Sequence, residues 1–361
     1  MMKKLILVVG LALSCFSCSN KPDEMIRIDV DQAMNTAISR KLSDVVKTLE
    51  YVTLETDSNS LVGRGFEVAL FEKDIAVING GKILLFDRMT GKFKQEVLQR
   101  GNEPGGYART MAGRGMVANE KAGYIFLNEW NKSMSTYNIY TGERNRFPTL
   151  GSVKSVAYTG GDSLVATAFN FDGKHKVKMW IYNRYQCVDS IPNHWRFKLM
   201  SDAMAVIAND EIFYRSDSRT YFKDATNDTV FAVTDTLSPA FVFQSSSLPR
   251  IELREHPEIM DQKMKDLYFV NNIVEDENYI YYTVAYQEKT YHLMYDKLSG
   301  EGGVLKESLI NDIDGGINLF PDHITDRGEY VFVVNPAFME EDELAKCHLK
   351  ADDNPMVVIG K

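Results

Sequence analysis

The chain has 361 residues, of which 44% are hydrophobic and 25% charged, and it carries a formal net charge of −9 at pH 7. This ordinary globular composition excludes a disordered body, and 18 Tyr with 19 Phe favour strands over helices. The acidic balance excludes nucleic acid as a partner, because phosphate-binding surfaces display clustered Lys and Arg and release counterions on binding.

The first residues, MMKKLILVVGLALSCFSCSNKPDE, place Lys3 and Lys4 before an apolar stretch from Leu5 to Leu13, followed by small residues and cysteine. That order predicts a secretion signal. The stretch is far shorter than the ~20 residues that span a bilayer, so the chain is expected to be exported and not retained as a transmembrane helix. Cys18 is the expected site of lipid attachment, because the polar tether SNKPDE follows it directly; Cys15 is the alternative. A redox role for the CFSC pair is disfavoured because the pair lies inside the export signal and not beside a βαβ unit. Cys187 and Cys347 then remain, and nothing in their spacing supports a bridge, so two free thiols are expected. The expected division is a signal peptide over 1–17, a tether over 18–40 and a single domain over 41–361.

Beyond the tether, short strand-like runs recur with turn chemistry between them, which is an all-β pattern. FEVALF (66–71), DIAVIN (74–79), KILLFD (82–87) and KFKQEVLQ (92–99) read as a four-stranded antiparallel meander. An aromatic-plus-polar pair closes the third run and returns along the chain: Phe86-Asp87, Tyr137-Asn138, Tyr182-Asn183, the divergent Val233-Thr234, and Tyr295-Asp296. Three of these continue into the same kind of turn, as FDRMTG, YNIYTG and YDKLSG. GRGFEVA (63–69) and GRGMVA (113–118) echo one another at the same spacing.

A period of about 50 residues with four strands per period matches the blades of a β-propeller, which closes into a ring and so removes long exposed edges. The length after the tether accommodates six blades. The last unit, HITD (323–326), YVFVV (330–334) and PMVVIG (355–360), supplies three strands, and LEYVTLE (49–55) from the other end of the chain is expected to complete it. RGNEPGGY (100–107) is then the crossover between the first two blades, with Gly101, Gly105 and Gly106 free to take positive φ and Pro104 stiffening the turn.

With LSDVVKTLEYVTLET (42–56), ILLFDRMTGKF (83–93), NDTVFAVTDTLSPAFVF (227–243), NDIDGGINLFP (311–321) and DNPMVVIGK (353–361), the chain resembles the six-bladed β-propeller lipoproteins of Gram-negative bacteria. It is more distantly similar to NHL-repeat and TolB-like propellers. The resemblance implies an all-β propeller with four-stranded antiparallel blades and a lipid-anchored envelope protein. It supplies no catalytic residues.

Arg64 and Arg114 begin the first strands of neighbouring blades at equivalent offsets. Two guanidinium forks at the channel mouth could grip a carboxylate or sulfate; the alternative is a solvated arginine or a local pair with an acid such as Glu67. Asp312, Asp314 and Asn318 space oxygen ligands like the start of a calcium loop, but Gly316 stands where a third acid belongs, so a β-turn competes with a metal there. The six histidines, His175, His194, His256, His292, His323 and His348, are scattered without metal-ligand spacing, and no nucleophile motif stands out. Two inserts interrupt the blades, at 245–267 and 337–353. The second has helical character over 340–349, and each is either a recognition element or a cover.

The expected function is a binding or scaffold module for a peptide, glycan or envelope partner protein, without a cofactor, on an outer-membrane lipoprotein whose side of the membrane the sequence does not specify. The alternative is a metal-dependent hydrolase or lyase with its site at the channel mouth.

Overall fold

A computed structural model of the protein describes residues 25–63, 65–79, 82–99, 116–129, 132–202, 207 and 210–361. Within them six antiparallel sheets follow one another along the chain as the blades of a six-bladed β-propeller. Blade 1 is Phe66–Leu70, Asp74–Asn79, Lys82–Asp87 and Phe93–Gln99; blade 2 is Met116–Asn119, Tyr124–Glu129, Ser133–Asn138 and Arg144–Pro148. Blade 3 is Val153–Gly160, Ser163–Ala168, Val177–Asn183 and Gln186–Pro192, and blade 4 is Glu211–Ser216, Arg219–Asp224, Thr229–Val233 and Leu237–Gln244. Blade 5 is Phe269–Glu275, Tyr279–Tyr286, Lys289–Asp296 and Gly302–Ile310. Blade 6 is His323–Ile324, Tyr330–Val334 and Met356–Gly360, completed by Leu49–Thr53.

The sequence builds these sheets because a propeller blade is covered on both faces, so its strands read as continuous apolar runs. In KILLFD, Ile83, Leu84, Leu85 and Phe86 are all buried. Alternation then splits them between two cores: Ile83 and Leu85 pack with Ile125 and Leu127 of blade 2, whereas Leu84 and Phe86 pack with Val331, Val357 and Ile359 of blade 6. The polar half of each repeated marker ends its strand and holds the turn. Asp87 Oδ1 accepts from the N–H groups of Met89 and Thr90, Asn138 Oδ1 from those of Tyr140 and Thr141, and Asp296 Oδ1 from those of Leu298 and Ser299. Gly91, Gly142 and Gly300 follow at φ of +68°, +72° and +75°.

The ring closes as expected. Leu49–Thr53 pairs antiparallel with Met356–Gly360, with Thr53 opposite Met356 and Leu49 opposite Gly360. The segment read as a tether departs from that expectation from residue 26 onward. Ile26–Asp29 adds in parallel to the outer strand of blade 4 and Ala37–Lys41 to that of blade 5, with helix Val30–Asn35 between them. The reason lies in the side chains: Ile28, Val30 and Ala33 are buried in the core between blades 4 and 5. The expected signal peptide, Cys15, Cys18 and the 100–107 crossover lie outside the described residues.

Both inserts are helical. The first forms short turns at Glu252–Glu255, Pro257–Ile259 and Met260–Met264, and the second carries a helix at Glu341–Cys347. That helix is fixed by a capping box, in which the Glu340 and Glu343 side chains each accept from the other's backbone N–H, and by His348 in the left-handed conformation at its end.

Candidate functional site: the channel and the cleft between blades 5 and 6

A cavity of about 770 Å³ follows the propeller axis and is lined from the innermost strand of every blade. Six carboxylates face it, Glu67, Glu120, Glu211, Asp322, Asp326 and Glu343, against the single guanidinium of Arg215 among the described residues. Glu211 is balanced by the buried Lys178 and Asp326 by Arg215, so the described lining is acidic by fewer charges than the six carboxylates. Glu120 Oε1 accepts from the N–H of Leu70 in blade 1 and lies 3.4 Å from His323 Nε2 of blade 6.

Beside the channel, the contact between blades 3 and 4 holds a buried charge network. Lys178 Nζ lies 3.0 Å from both Glu211 Oε1 and Asp224 Oδ2, and Arg254 Nη2 lies 3.0 Å from Asp224 Oδ1 and 2.6 Å from Asp210 Oδ2. Lys154 pairs with Asp210, which meets both cations as ion pairs without aligned hydrogen bonds. Burial opposes the charge on Asp224, but Arg254 and Lys178 overcome it and hold the carboxyl well below the usual range. Because Arg254 belongs to the first insert, that insert is fastened into the blade interface. Its Leu253 and Met260 pack beneath it with Phe197 and Phe269.

The cavity also extends radially between blades 5 and 6. Asn272, Thr283 and His292 are successive cross-strand partners on adjacent strands of blade 5, and Ser308 on the fourth strand continues their row. They share a face with Val274, Tyr281 and Met294, which pack against Phe332 and Val358 of blade 6. The row therefore replaces apolar packing by polar groups in an interblade contact. The same cavity is lined by Phe320, Asn335 and, from the second insert, Phe338 and Met339.

Within this cleft His292 is held on two sides. Its Nδ1 lies 2.9 Å from Ser308 Oγ, and its ring stacks on Phe320 with centroids 4.1 Å apart and planes 11° from parallel. Ser308 has φ of +59°, a left-handed conformation in mid-strand that a serine adopts only under constraint, and the strand is irregular in its pairing here. Burial pushes the His292 imidazole down from its ordinary pKa, so the ring is neutral at pH 7. Its Nε2 and the Thr283 hydroxyl have no hydrogen-bond partner among the described residues.

Of the residues singled out from sequence, Arg64 and Arg114 lie outside the described residues. Asp312 and Asp314 do not face one site. Asp312 accepts from Ser43 N and Oγ at 3.0 and 2.8 Å, and Asp314 accepts from Tyr51 Oη at 2.9 Å and from Asn311 Nδ2 at 2.8 Å. Both carboxylates thus fasten the N-terminal closing segment, and no group of three or more His, Cys, Asp or Glu gathers as a metal site among the described residues. Cys187 and Cys347 are free thiols. Sequence reasoning did not connect His292 with Thr283, Ser308 and Phe320; its only signal was polar residues at positions where strand alternation requires apolar ones.

Residues 25–361 match a family described as Domain of unknown function (DUF4934). The chain belongs to the DUF4934 family. This DUF4934 chain is similar in structure to a candidate exported protein of Bacteroides fragilis NCTC 9343, with a TM-score of 0.64 and 13% identity over 90% of this chain and 99% of that one. A structural genomics protein of unknown function from Bacteroides thetaiotaomicron VPI-5482 follows, with a TM-score of 0.48 and 12% identity over 87% of this chain and 76% of that one. At these identities the likeness concerns the fold alone. No curated protein matches the sequence. No described helix is long and apolar enough to cross a membrane.

Proposed function

We propose that this DUF4934 propeller is an exported, lipid-anchored binding module of the outer membrane. It takes a neutral or cationic ligand, part of a glycan, a peptide or an envelope protein, into the channel and the cleft that opens from it. The export signal and Cys18 support the address. The ligand reading rests on one observation: a cavity of about 770 Å³ reaches all six innermost strands, with six carboxylates against one guanidinium among the described residues lining it. A cavity of this size matches small-molecule and oligomer sites. A metal-dependent hydrolase would need three or more ligands converging on one point, and the described residues gather none.

The test is thermal unfolding of the purified protein with a panel of short cationic, neutral and anionic peptides and oligosaccharides. A ligand at a hundredfold excess over its Kd adds about 2.7 kcal/mol of stability. The expected result is a rise in Tm with neutral or cationic members, abolished by Ala118→Trp, which fills the channel from a half-buried lining position. Silence across the panel at millimolar concentrations, or shifts confined to anions, would end this reading.

A further inference from the structure

The cleft between blades 5 and 6 carries more information than its volume. Its open polar groups are uncharged: Thr283 Oγ1, His292 Nε2 and Asn335 Nδ2 make no hydrogen bond to a described residue, although Asn335 Oδ1 accepts from the N–H of Ala337. The carboxylates at this side are engaged, Asp322 Oδ2 by the N–H of Val333 and Glu343 Oε2 by that of Glu340. Among the described residues lining the cavity, the one guanidinium, Arg215, is bound to Asp326. No described cation in the lining is left to pair with an anionic ligand, and the groups left open in the cleft itself are the uncharged ones.

The aromatic groups are disposed in two ways. Phe320 is spent on His292, fixing the plane of the imidazole. Phe338 lines the same cavity yet is 74% exposed, so it adds little to the core and presents a ring to solvent. It sits in the turn Pro336–Phe338, which is held at its start by the Asn335 carbonyl-type oxygen accepting from Ala337. An exposed ring that lines one cavity with a hydroxyl, an amide and a neutral imidazole suits a ligand with one apolar C–H face and a rim of hydroxyls, each able both to donate and to accept. A peptide adding to a strand edge is served less well, because the edge at Val333 is already capped by Asp322.

We infer that this cleft is a subsite for an uncharged saccharide unit, which stacks on Phe338 and directs its hydroxyls to His292 Nε2, Thr283 Oγ1 and Asn335 Nδ2. The inference rests on the binding-module reading and specifies its ligand. Ser308 and Phe320 are positioning residues: they orient His292 and do not touch the sugar.

The experiment is calorimetric titration of the purified protein with neutral oligosaccharides of glucose, galactose, mannose and N-acetylglucosamine, alongside uronate-containing counterparts and neutral and basic tripeptides. The expected result is binding of at least one neutral saccharide, weakened about three- to tenfold by Phe338→Ala, the range that a stacking contact is worth. Thr283→Val is expected to weaken the same ligand, and Phe338→Ala to leave Tm unchanged. Binding of tripeptides without any saccharide overturns the saccharide subsite and leaves the binding module standing. Saccharide binding indifferent to both substitutions overturns the location, and tighter binding of uronates overturns the uncharged class. Absence of binding throughout overturns both readings.

Discussion

Arg215 of blade 4 donates from Nε to Asp326 Oδ1 of blade 6 at 2.8 Å, so two blades that are not neighbours are joined across the mouth of the channel. The same guanidinium donates to the backbone oxygen of Tyr158 at 3.2 Å and lies over its ring, 4.9 Å from the centroid, which brings in blade 3. Both members of the pair are partly solvated, so Arg215→Ala is expected to cost about 1 kcal/mol in urea unfolding. A double-mutant cycle with Asp326→Ala should return a coupling that shrinks with added salt.

Asp224 lies at the centre of the buried network and balances both Lys178 and Arg254. Replacing it by Asn leaves buried positive charge uncompensated, and the expected loss is about 3–5 kcal/mol at pH 7. Because the folded pKa lies below the unfolded one, this contribution is complete above the unfolded value. The difference between wild type and Asp224→Asn should therefore narrow as the pH falls below about 4. Denaturant unfolding from pH 7 to pH 3 checks both statements.

Lys223 is 1% exposed, and its ammonium donates to the backbone oxygens of Asp224 and Asn227 at 3.2 and 3.0 Å. Burial lowers its pKa from 10.5 to about 8, against the partial opposition of Asp224 and Asp228. The unfolded chain binds more protons between these two values, so this group's contribution to stability rises with pH from about 8 to about 10.5. Plotted against pH, wild-type stability minus that of Lys223→Met should climb through that window and be flat below it.

Asn354 seals the ring from the C-terminal side. It is fully buried, donates from Nδ2 to the backbone oxygens of Glu55 and Ser60 at 2.7 and 2.8 Å, and accepts from the N–H of Val62 at 2.8 Å. Asn354→Ala orphans these groups and is expected to cost about 2–4 kcal/mol. Amide hydrogen exchange should show the loss first in Leu49–Thr53 and Met356–Gly360, the strands that close blade 6.

The sequence by itself determined the architecture of this protein. FDRMTG, YNIYTG and YDKLSG announced the repeated turn because an Asp or Asn that caps a turn and a glycine at positive φ are local requirements, satisfied within six residues. LEYVTLE announced closure for a related reason: an alternating strand without a neighbour in sequence must find one at the other end of the chain. The docking of 26–41 was not legible, since IRID and AISRK are too short to be separated from a polar tether until blades 4 and 5 supply outer edges. Only the tertiary structure decided the site. Asn272, Thr283, His292 and Ser308 are ordinary strand residues one at a time, and cross-strand register sets them in one row. The ring then brings that row and Phe338, which follows a strand of another blade, to the lining of one cavity. Asp312 and Asp314 show the converse: their spacing suggested calcium, while the folded chain turns each carboxylate to a different partner, Ser43 and Tyr51. Local rules act over a few residues and can be read in order, whereas a propeller's channel and clefts are assembled from positions about 50 apart whose meeting depends on the packing of whole blades.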